Sequence, residues 1–300
     1  MSFGQIVTFL LCFTLISATP VGAEDGKKIY ISADMEGLAG AVTTAQLGPG
    51  GFEYEKFRKI YTAEVNAAIE AAFKGGATEI LVSDSHGNGQ GLLVDELNQR
   101  VQLVRSWPRP FGMMQGIDDT FDGVFFIGYH ASANSSEGIR AHTMSSAHLA
   151  SVKLNGVSMS EASFNAAIAG HFDVPILMIS GDSAATSEAA SIIGGIEEAV
   201  VKWAYGFHSG RTLLPTAAKA VIADKAEKAM AKIGNIKPYK LSGPIELDIT
   251  FQSYQPSEVL AYLPIVERID ARTVRYIGAD MAEISKFFRF VMSFSAGLKP

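Results

Sequence analysis

Short apolar runs alternate with longer amphipathic stretches along most of the chain. Runs rich in β-branched and aromatic residues predict buried strands over residues 28–33, 79–82, 101–104, 123–128 and 175–180. Apolar side chains three or four positions apart predict helices over residues 53–74 and 161–170. Strands and helices that alternate in this order favour an α/β fold with a largely parallel sheet flanked by helices.

The pattern changes twice further along the chain. Asn155-Gly156 lies between apolar residues, a sequence typical of a β-hairpin turn. After residue 205 we predict a helix, two strands and a terminal helix, over residues 215–232, 245–251, 268–276 and 281–294. The chain is therefore predicted to have three parts: a separate segment over 1–23, an α/β region over 24–205 and a smaller α+β region over 206–300.

The first segment, residues 1–23, contains no charged side chain. Its apolar run from Ile6 to Ile16 is too short to cross a bilayer, and the small residues of Val21-Gly22-Ala23 follow it. This arrangement is typical of a secretory signal peptide cleaved after Ala23, and an uncleaved N-terminal anchor is the alternative. We expect a secreted or periplasmic protein with no stable membrane span after processing, or a cytoplasmic one if the segment is not a signal.

Composition excludes several classes of protein. The chain is 48% hydrophobic and 19% charged, which excludes a disordered protein. Its net charge is −6, and no basic run is longer than two residues, so we expect no nucleic-acid partner. The single cysteine, Cys12, lies in the predicted signal peptide, so a metal in the mature chain must be held by His, Asp or Glu.

Potential metal ligands follow three of the predicted strands. Asp34 and Glu36 follow the first strand, and His86 and His130 follow two others. Because the carboxyl ends of parallel strands meet at one edge of a sheet, these side chains can converge. Two carboxylates so close in sequence repel each other unless a proton or cation lies between them. Oxygen and imidazole ligands without sulfur suit a catalytic zinc site.

Each candidate also has a structural interpretation. Asp34 and Glu36 can be polar loop residues, and His86 can be a turn residue. His142 lies in a predicted loop, where solvent exposure is the default for a histidine. Glu161 closes the sequence Ser158-Met159-Ser160-Glu161, which matches a helix capping box. We treat the remaining histidines as structural or surface residues: His148, His171 and His208.

Further motifs accompany these residues in a fixed order along the chain. They are I-S-A-D-M-E-G (31–37), V-S-D-S-H (82–86), G-I-D-D-T-F-D-G (116–123), F-I-G-Y-H-A (126–131), A-H-T-M (141–144), N-G-V-S-M-S-E (155–161) and V-P-I-L-M-I-S-G-D (174–182). With these motifs the chain resembles the zinc-dependent D-aminopeptidase family of metallopeptidases. The resemblance extends over residues 28–295 and is strongest up to residue 182.

The resemblance implies a site with two zinc ions per chain. Its five metal ligands are Asp34, Glu36, His86, His130 and Glu161. Asp34 is expected to bridge both metals, and His142 matches the family's catalytic histidine. Region 24–205 is then the zinc-binding catalytic region, and the family's ring-like assembly implies a homo-oligomer, a decamer.

The activity implied is that of a zinc-dependent exopeptidase, which releases N-terminal, D-configured amino acids from short peptides or amides by means of metal-activated water. Asp84 and Asp118 are candidates for orienting the ligand imidazoles. Three alternatives stay open: another two-metal hydrolase acting on a cyclic amide or phosphate ester, a non-catalytic periplasmic peptide-binding protein, and a structural shell protein.

Overall fold

A computed structural model of the protein describes Met1 and the continuous segment 26–294. The predicted signal peptide, and Cys12 within it, lie outside the described residues. Among the described residues, every helix is too short or too polar to span a bilayer.

Twelve strands and six helices follow one another along segment 26–294. The strands are β1 (Lys27–Ala33), β2 (Ala77–Asp84), β3 (Gln102–Val104), β4 (Gly123–Tyr129), β5 (Leu149–Leu154), β6 (Val157–Ser158), β7 (Ile176–Asp182), β8 (Glu197–Gly206), β9 (Ser209–Thr212), β10 (Ile245–Phe251), β11 (Val266–Arg268) and β12 (Thr273–Gly278). The helices are α1 (Tyr54–Lys74), α2 (Glu161–His171), α3 (Ser183–Ile193), α4 (Pro215–Met230), α5 (Gln255–Leu260) and α6 (Met281–Ser293).

The first sheet, sheet A, has seven strands in the order β3-β2-β1-β4-β7-β8-β9. All neighbouring strands are parallel except β8 and β9, which form an antiparallel pair at one edge. The central strands β4 and β7 are buried along their whole length, as expected for a parallel sheet covered on both faces. The predicted α/β fold with a largely parallel sheet is therefore confirmed.

Helices cover both faces of sheet A. Helix α1 turns Tyr61, Val65 and Ile69 inward, and these side chains join α4 in a hydrophobic core on one face. The opposite face packs with α2, α6 and the second sheet in another core. Residues at the carboxyl ends of the sheet A strands are thus enclosed from both sides.

The second sheet, sheet B, has five strands in the order β11-β12-β10-β5-β6, and each pair is antiparallel. Side chains of β10 alternate between buried and half-buried, the pattern of a sheet with one face on the core. Asn155 and Gly156 join β5 to β6 with φ angles of 49° and 78°. Positive φ at both positions is what the predicted hairpin turn requires.

Both sheets draw strands from either side of residue 205. The predicted boundary at residue 205 falls inside β8, whose partner β9 belongs to the same sheet. Strands β5 and β6 of sheet B come from region 24–205. The division into regions 24–205 and 206–300 stays a prediction about folding units.

The strand predicted over 268–276 was wrong in its bounds. Two strands, β11 and β12, occupy this stretch, with a tight turn between them. The Asp270 carboxylate accepts hydrogen bonds from the backbone N–H groups of Arg272 (2.8 Å) and Thr273 (2.9 Å). An aspartate that bonds its own following backbone favours a turn over a continuous strand.

Candidate metal centre at the strand ends

All six residues predicted for the site meet at the carboxyl edge of sheet A. Asp34 and Glu36 follow β1, His86 follows β2, and His130 follows β4. Glu161 is the first residue of α2, and His142 lies in the connection between β4 and β5. The topology of a parallel sheet thus gathers ligands that are far apart in sequence.

A close backbone crossing fixes the ends of β1 and β4 against each other. The N–H of Asp34 donates to the Ile127 carbonyl (2.8 Å), and that of Gly37 donates to the Gly128 carbonyl (2.6 Å). A Cβ at Gly37 would lie 2.1 Å from the Tyr129 carbonyl oxygen, and one at Gly128 would lie 2.1 Å from the Asp34 carbonyl oxygen. Only glycine permits this approach, which holds the β1 and β4 ligands in one frame.

Asp34, Glu36 and His86 form the first group of candidate ligands, which we call the first triad. The His86 Nδ1 lies 2.8 Å from the Glu36 Oε2 and 3.0 Å from the Asp34 Oδ1. The opposite ring nitrogen, Nε2, lies 2.5 Å from the Leu47 carbonyl oxygen. With Nε2 donating to that carbonyl, Nδ1 is the nitrogen available to a metal.

His130, His142 and Glu161 form the second triad. The Glu161 Oε1 lies 3.2 Å from the His130 Nε2 and 3.5 Å from the His142 Nε2. The two imidazole rings stack with their centres 4.0 Å apart and a 7° angle between their planes. The triad therefore directs both Nε2 atoms at one carboxylate oxygen.

Backbone groups orient the second triad. The His130 Nδ1 donates to the Ala131 carbonyl (3.0 Å), and the His142 Nδ1 donates to the Arg140 carbonyl (2.8 Å). A proton on Nδ1 leaves the lone pair on Nε2 in the neutral ring. The Glu161 Oε1 also accepts a hydrogen bond from the Met144 N–H (2.7 Å).

Glu161 gains this orientation from a capping arrangement different from the predicted one. The N-cap of α2 is Ser160, whose side chain accepts from the Ser163 N–H, while the Ser163 hydroxyl accepts from the Ser160 N–H. The capping box predicted at Ser158–Glu161 is therefore wrong. Since Ser163 completes the box, the Glu161 carboxylate is left to face the histidines.

Asp34 lies between the two triads. Its Oδ1 faces His86, and its Oδ2 lies 3.3 Å from the His130 Nε2. A carboxylate with one oxygen toward each group has the position that a bridging ligand needs.

The donor set fits divalent cations. Asp34 is 2% exposed, Glu36 is 7% exposed and Glu161 is 4% exposed. Among the described residues, the Asp34 Oδ2 and the His130 Nε2 are buried and have no hydrogen-bond partner. Each triad offers three ligand atoms that all lie within 4.8 Å of one another. Buried carboxylates and unpaired lone pairs at this spacing are satisfied by a metal ion, and oxygen with nitrogen ligands suits zinc.

The electrostatics of the triads favour a cation. Burial, and then the Glu36 charge, raise the pKa of Asp34. Burial opposes ionisation of Glu36 too, but His86 holds the pKa of Glu36 well below its ordinary value. Burial disfavours a charged His86, yet Glu36 and Asp34 raise the pKa of that imidazole well above its ordinary value. A proton on His86 and a divalent cation would therefore stabilise the same carboxylates, so a metal that binds here would displace protons.

A buried lysine that sequence analysis missed supports the loop carrying Glu36. Lys202 of β8 is fully buried, and its ammonium donates to the carbonyls of Glu36 and Ala41. Burial lowers the pKa of Lys202 to about 8, although nearby Asp182 and Glu64 favour its charged form. A lysine within the apolar run Val200-Val201-Lys202-Trp203 was the available signal.

Backbone carbonyls accept from the outer nitrogens of the imidazoles, in place of the two aspartates considered for that role. The Asp84 carboxylate accepts from the Leu92 N–H (2.8 Å) and the Tyr61 hydroxyl (3.3 Å). Asp118 is exposed and accepts from the Thr120 N–H (3.0 Å). Both are turn or support residues in the structure.

A cavity of about 350 Å³ opens onto the metal centre. Its walls include ligands of both triads and five further side chains: Trp107, Met113, Met144, Arg289 and Met292. A larger open depression, of about 780 Å³, is lined mainly by serines and contains none of the predicted site residues. The smaller cavity holds the reactive groups and is the candidate substrate site. His148, His171 and His208 are exposed and lie outside it.

Comparison with known proteins gives concordant matches. The model of a family described as D-aminopeptidase matches residues 27–290. A D-aminopeptidase of Bacillus subtilis (strain 168) is 35% identical over 260 residues, which cover 85% of this chain and 93% of that protein. A solved structure, the Zn-dependent D-aminopeptidase DppA from Bacillus subtilis, is described as a self-compartmentalizing protease. It superimposes with a TM-score of 0.84 at 33% identity, covering 89% of this chain and 99% of that one.

Proposed function

This chain belongs to the D-aminopeptidase family, and we propose that it is a zinc-dependent exopeptidase acting on short peptides or amides. The residues released are N-terminal and of D configuration. The observation that carries the proposal is the pair of triads beside one cavity, with Asp34 facing both of them. Similarity to a zinc-dependent D-aminopeptidase across most of both chains supports the same chemistry.

Two zinc ions per chain are proposed, held by Asp34, Glu36, His86, His130 and Glu161. The support is that Glu36 and His86 lie on one side of Asp34, that His130 and Glu161 lie on the other, and that Asp34 faces both groups. Zinc lowers the pKa of a coordinated water and polarises a carbonyl oxygen, which supplies the nucleophile and the electrophile for amide hydrolysis.

His142 is proposed to move a proton during cleavage. Its side chain is 14% exposed, whereas that of His130 is fully buried, so His142 is the imidazole more accessible to substrate. Its Nδ1–H is committed to the Arg140 carbonyl, so Nε2 carries the lone pair. Nε2 can accept a proton from the attacking water and deliver it to the leaving amine.

Lys202 and the backbone crossing are proposed to fix the positions of the ligand-bearing segments. The lysine fixes the carbonyls of Glu36 and Ala41, and the crossing at Gly37 and Gly128 fixes the two ligand-bearing strands. Donor groups that are already in position bind a ligand without the free-energy cost of reordering their side chains.

We also propose a homo-oligomer, a decamer, in which the sites are enclosed by the assembly. The support is the description of the structural relative as a self-compartmentalizing protease. Light scattering on the purified mature protein gives the number of chains directly. A monomer at micromolar concentration would contradict the proposal.

Secretion or export to a periplasm is proposed from the composition of residues 1–23. The mature chain then begins at Glu24, next to the described segment. Mass spectrometry of the protein recovered outside the cytoplasm measures its N-terminus. Full-length protein found only in the cytoplasm would contradict export.

The deciding experiment pairs metal analysis with stereochemistry. Purified protein is assayed on the 4-nitroanilides of D-alanine and L-alanine, before and after removal of metal by a chelator. We expect zinc in the purified protein, faster release from the D substrate, loss of release after chelation and recovery with added zinc.

The alternatives give different results in the same assay. A peptide-binding or shell protein releases nothing from either enantiomer. Another two-metal hydrolase contains the metal but cleaves a phosphate ester or a cyclic amide in preference to both anilides.

A further inference from the structure

One basic side chain, Arg289, lines the cavity that holds the predicted metal ligands. It comes from α6, far along the chain from all of those ligands. The rest of the wall consists of members of both triads, two serines and apolar side chains such as Trp107 and Met144. Arg289 is half-buried, and a partner favours a guanidinium that has lost part of its contact with water.

The position of Arg289 is fixed by packing. Its side-chain stem passes over Gly112, where a Cβ would lie 3.2 Å from the Arg289 Cδ. Its guanidinium carbon lies 4.8 Å from the ring centre of Trp107. The Trp107 Nε1 donates to the carbonyl of Gly87 (2.8 Å), the residue after the ligand His86. The cation is therefore held beside the metal centre.

A second arginine on the same indole ring shows how such a group is normally satisfied. Arg109 lies 4.2 Å from the Trp107 ring centre and donates to the Ser83 hydroxyl (2.8 Å) and the Asp84 carbonyl (2.8 Å). The Arg289 Nε, in contrast, is buried with no hydrogen-bond partner within segment 26–294. No carboxylate of that segment lies within ion-pair distance of Arg289, although the more distant Glu161 charge favours the cation by opposing the effect of burial on the pKa of Arg289. Its donors are thus available to a ligand in the cavity.

We propose that Arg289 binds the free C-terminal carboxylate of a short peptide substrate. The planar guanidinium presents paired N–H groups that match a carboxylate. A cavity of about 350 Å³ is at the small end of the range for ligand sites. Because Arg289 and the candidate metal ligands line the same cavity, a substrate of two or three residues, about 7–11 Å long when extended, can contact both.

This inference rests on the proposed function and adds a rule of selectivity to it. A dipeptide with a free carboxylate gains charge-assisted hydrogen bonds that the corresponding C-terminal amide lacks. Bonds of this kind change affinity by about 10- to 100-fold, so the free acid is expected to have the lower KM by about that factor. Long peptides place their carboxylate outside the cavity and lose the same contact.

The experiment compares D-alanyl-D-alanine with D-alanyl-D-alaninamide, which differ only at the C-terminal group. Wild-type zinc enzyme is expected to prefer the acid by about 10- to 100-fold in kcat/KM, mainly through KM. In R289Q the ratio of acid to amide falls close to one. The matched control is K286Q, which removes a positive charge from an exposed position of the same helix and keeps the wild-type ratio.

Several outcomes would overturn the inference. Equal cleavage of acid and amide by the wild type excludes recognition of the carboxylate. An equal loss on both substrates in R289Q means that Arg289 acts on the reacting group or on the fold. R289K retains the positive charge but loses the planar guanidinium, so it should keep part of the preference for the acid over the amide. It also serves as a second variant if R289Q does not fold.

Calorimetry separates this inference from the proposed function. If the wild type cleaves neither dipeptide, the proposed function fails. Binding of D-alanyl-D-alanine and its amide to zinc-loaded wild type and R289Q still measures the carboxylate contact. Tighter binding of the acid that disappears in R289Q supports the inference, and equal binding of both ligands by the wild type overturns it.

Discussion

Acidic side chains have opposite surroundings in sheet B and at the carboxyl end of sheet A. In sheet B, Asp248 of β10 receives two hydrogen bonds from Arg275 of β12, at 2.7 and 2.8 Å. At the end of sheet A, Asp34 and Glu36 are buried more deeply. Within segment 26–294 their ion-pair partners are imidazoles, and neither carboxylate pairs with an arginine or a lysine.

This contrast distinguishes charges that are paired within the protein from charges that leave groups free to bind a ligand. Asp248 is paired with its cross-strand neighbour Arg275, and both side chains are partly exposed to solvent. The cluster around Asp34 retains buried unpaired atoms, which folding alone would not favour. Removing an acid should therefore affect binding and catalysis at the carboxyl end of sheet A, and affect only stability in sheet B.

The largest effect is expected for Asp34→Ala. Because Asp34 faces both triads, its loss should reduce bound zinc below one ion per chain and lower kcat/KM by about 10³-fold or more. Elemental analysis of the purified variant measures the metal, and release from a D-alanine anilide measures activity. Stoichiometric zinc in D34A would contradict the bridging position.

His142→Ala is expected to abolish cleavage and leave the metal in place. His142 shares Glu161 with His130, and the other predicted ligands remain, so zinc should stay near two ions per chain. Loss of a proton-transferring group lowers kcat by about 10²- to 10⁴-fold. Wild-type kcat in H142A would remove this side chain from the mechanism.

Glu64→Gln tests a third kind of acid, because Glu64 is buried in α1, a helix that packs on sheet A, and lies outside the triads. Its Oε1 accepts from the Ala39 N–H (3.1 Å), and its Oε2 has no partner among the described residues. Burial raises the pKa of Glu64 from 4.5 to about 7. The folded state therefore favours protonated Glu64, and this contribution to stability is lost as the pH rises through about 7.

The neutral variant avoids that loss. The free energy of unfolding of E64Q, relative to wild type, should increase by about 2 kcal/mol between pH 5 and pH 8. Denaturant titrations at both pH values, with equal zinc, measure this difference. E55Q, at an exposed position of the same helix, is the control. A constant difference between E64Q and wild type at the two pH values would show that Glu64 is ionised in the folded state throughout.

The smallest effect is expected for Asp248→Ala in sheet B. The pair with Arg275 is partly exposed, so its loss should lower the free energy of unfolding by about 0.5–1 kcal/mol. Zinc content and kcat should remain at the wild-type values. If D248A loses metal, the two sheets are coupled and the division between structural and functional acids fails.

The convergence of the metal site could be predicted because it depends on a rule of topology. Strand periodicity located the ends of β1, β2 and β4, and parallel strands bring those ends to one edge. Asp34, Glu36, His86 and His130 follow from that rule. Glu161 and His142 lie outside these strands, so their inclusion depended on the family resemblance.

Elements without a strong apolar pattern escaped prediction. Helix α3 is rich in serine and alanine, and its start depends on Asp182, whose side chain accepts from the Ala185 N–H. Strand β8 contains Lys202, a residue that sequence patterns assign to solvent. In both cases contacts distant in sequence outweigh local preference.

The hydrogen-bond and packing partners of polar side chains also could not be predicted from the sequence. Ser158 and Ser160 both precede α2, and only the folded chain distinguishes the serine that caps the helix. Arg289 lies in a helix that the sequence predicts, but its contact with Trp107 joins two distant segments. Local pattern identifies such a side chain as polar without indicating what it faces.

The glycine crossing between β1 and β4 limits how this site can diversify. Any side chain at Gly37 or Gly128 would push apart the strands that present Asp34 and His130, so variation there removes the metal chemistry altogether. Met144 and Met292 border the same cavity without taking part in the crossing. New substrate preferences can therefore arise by exchange of those methionines while the hydrolytic machinery is inherited unchanged.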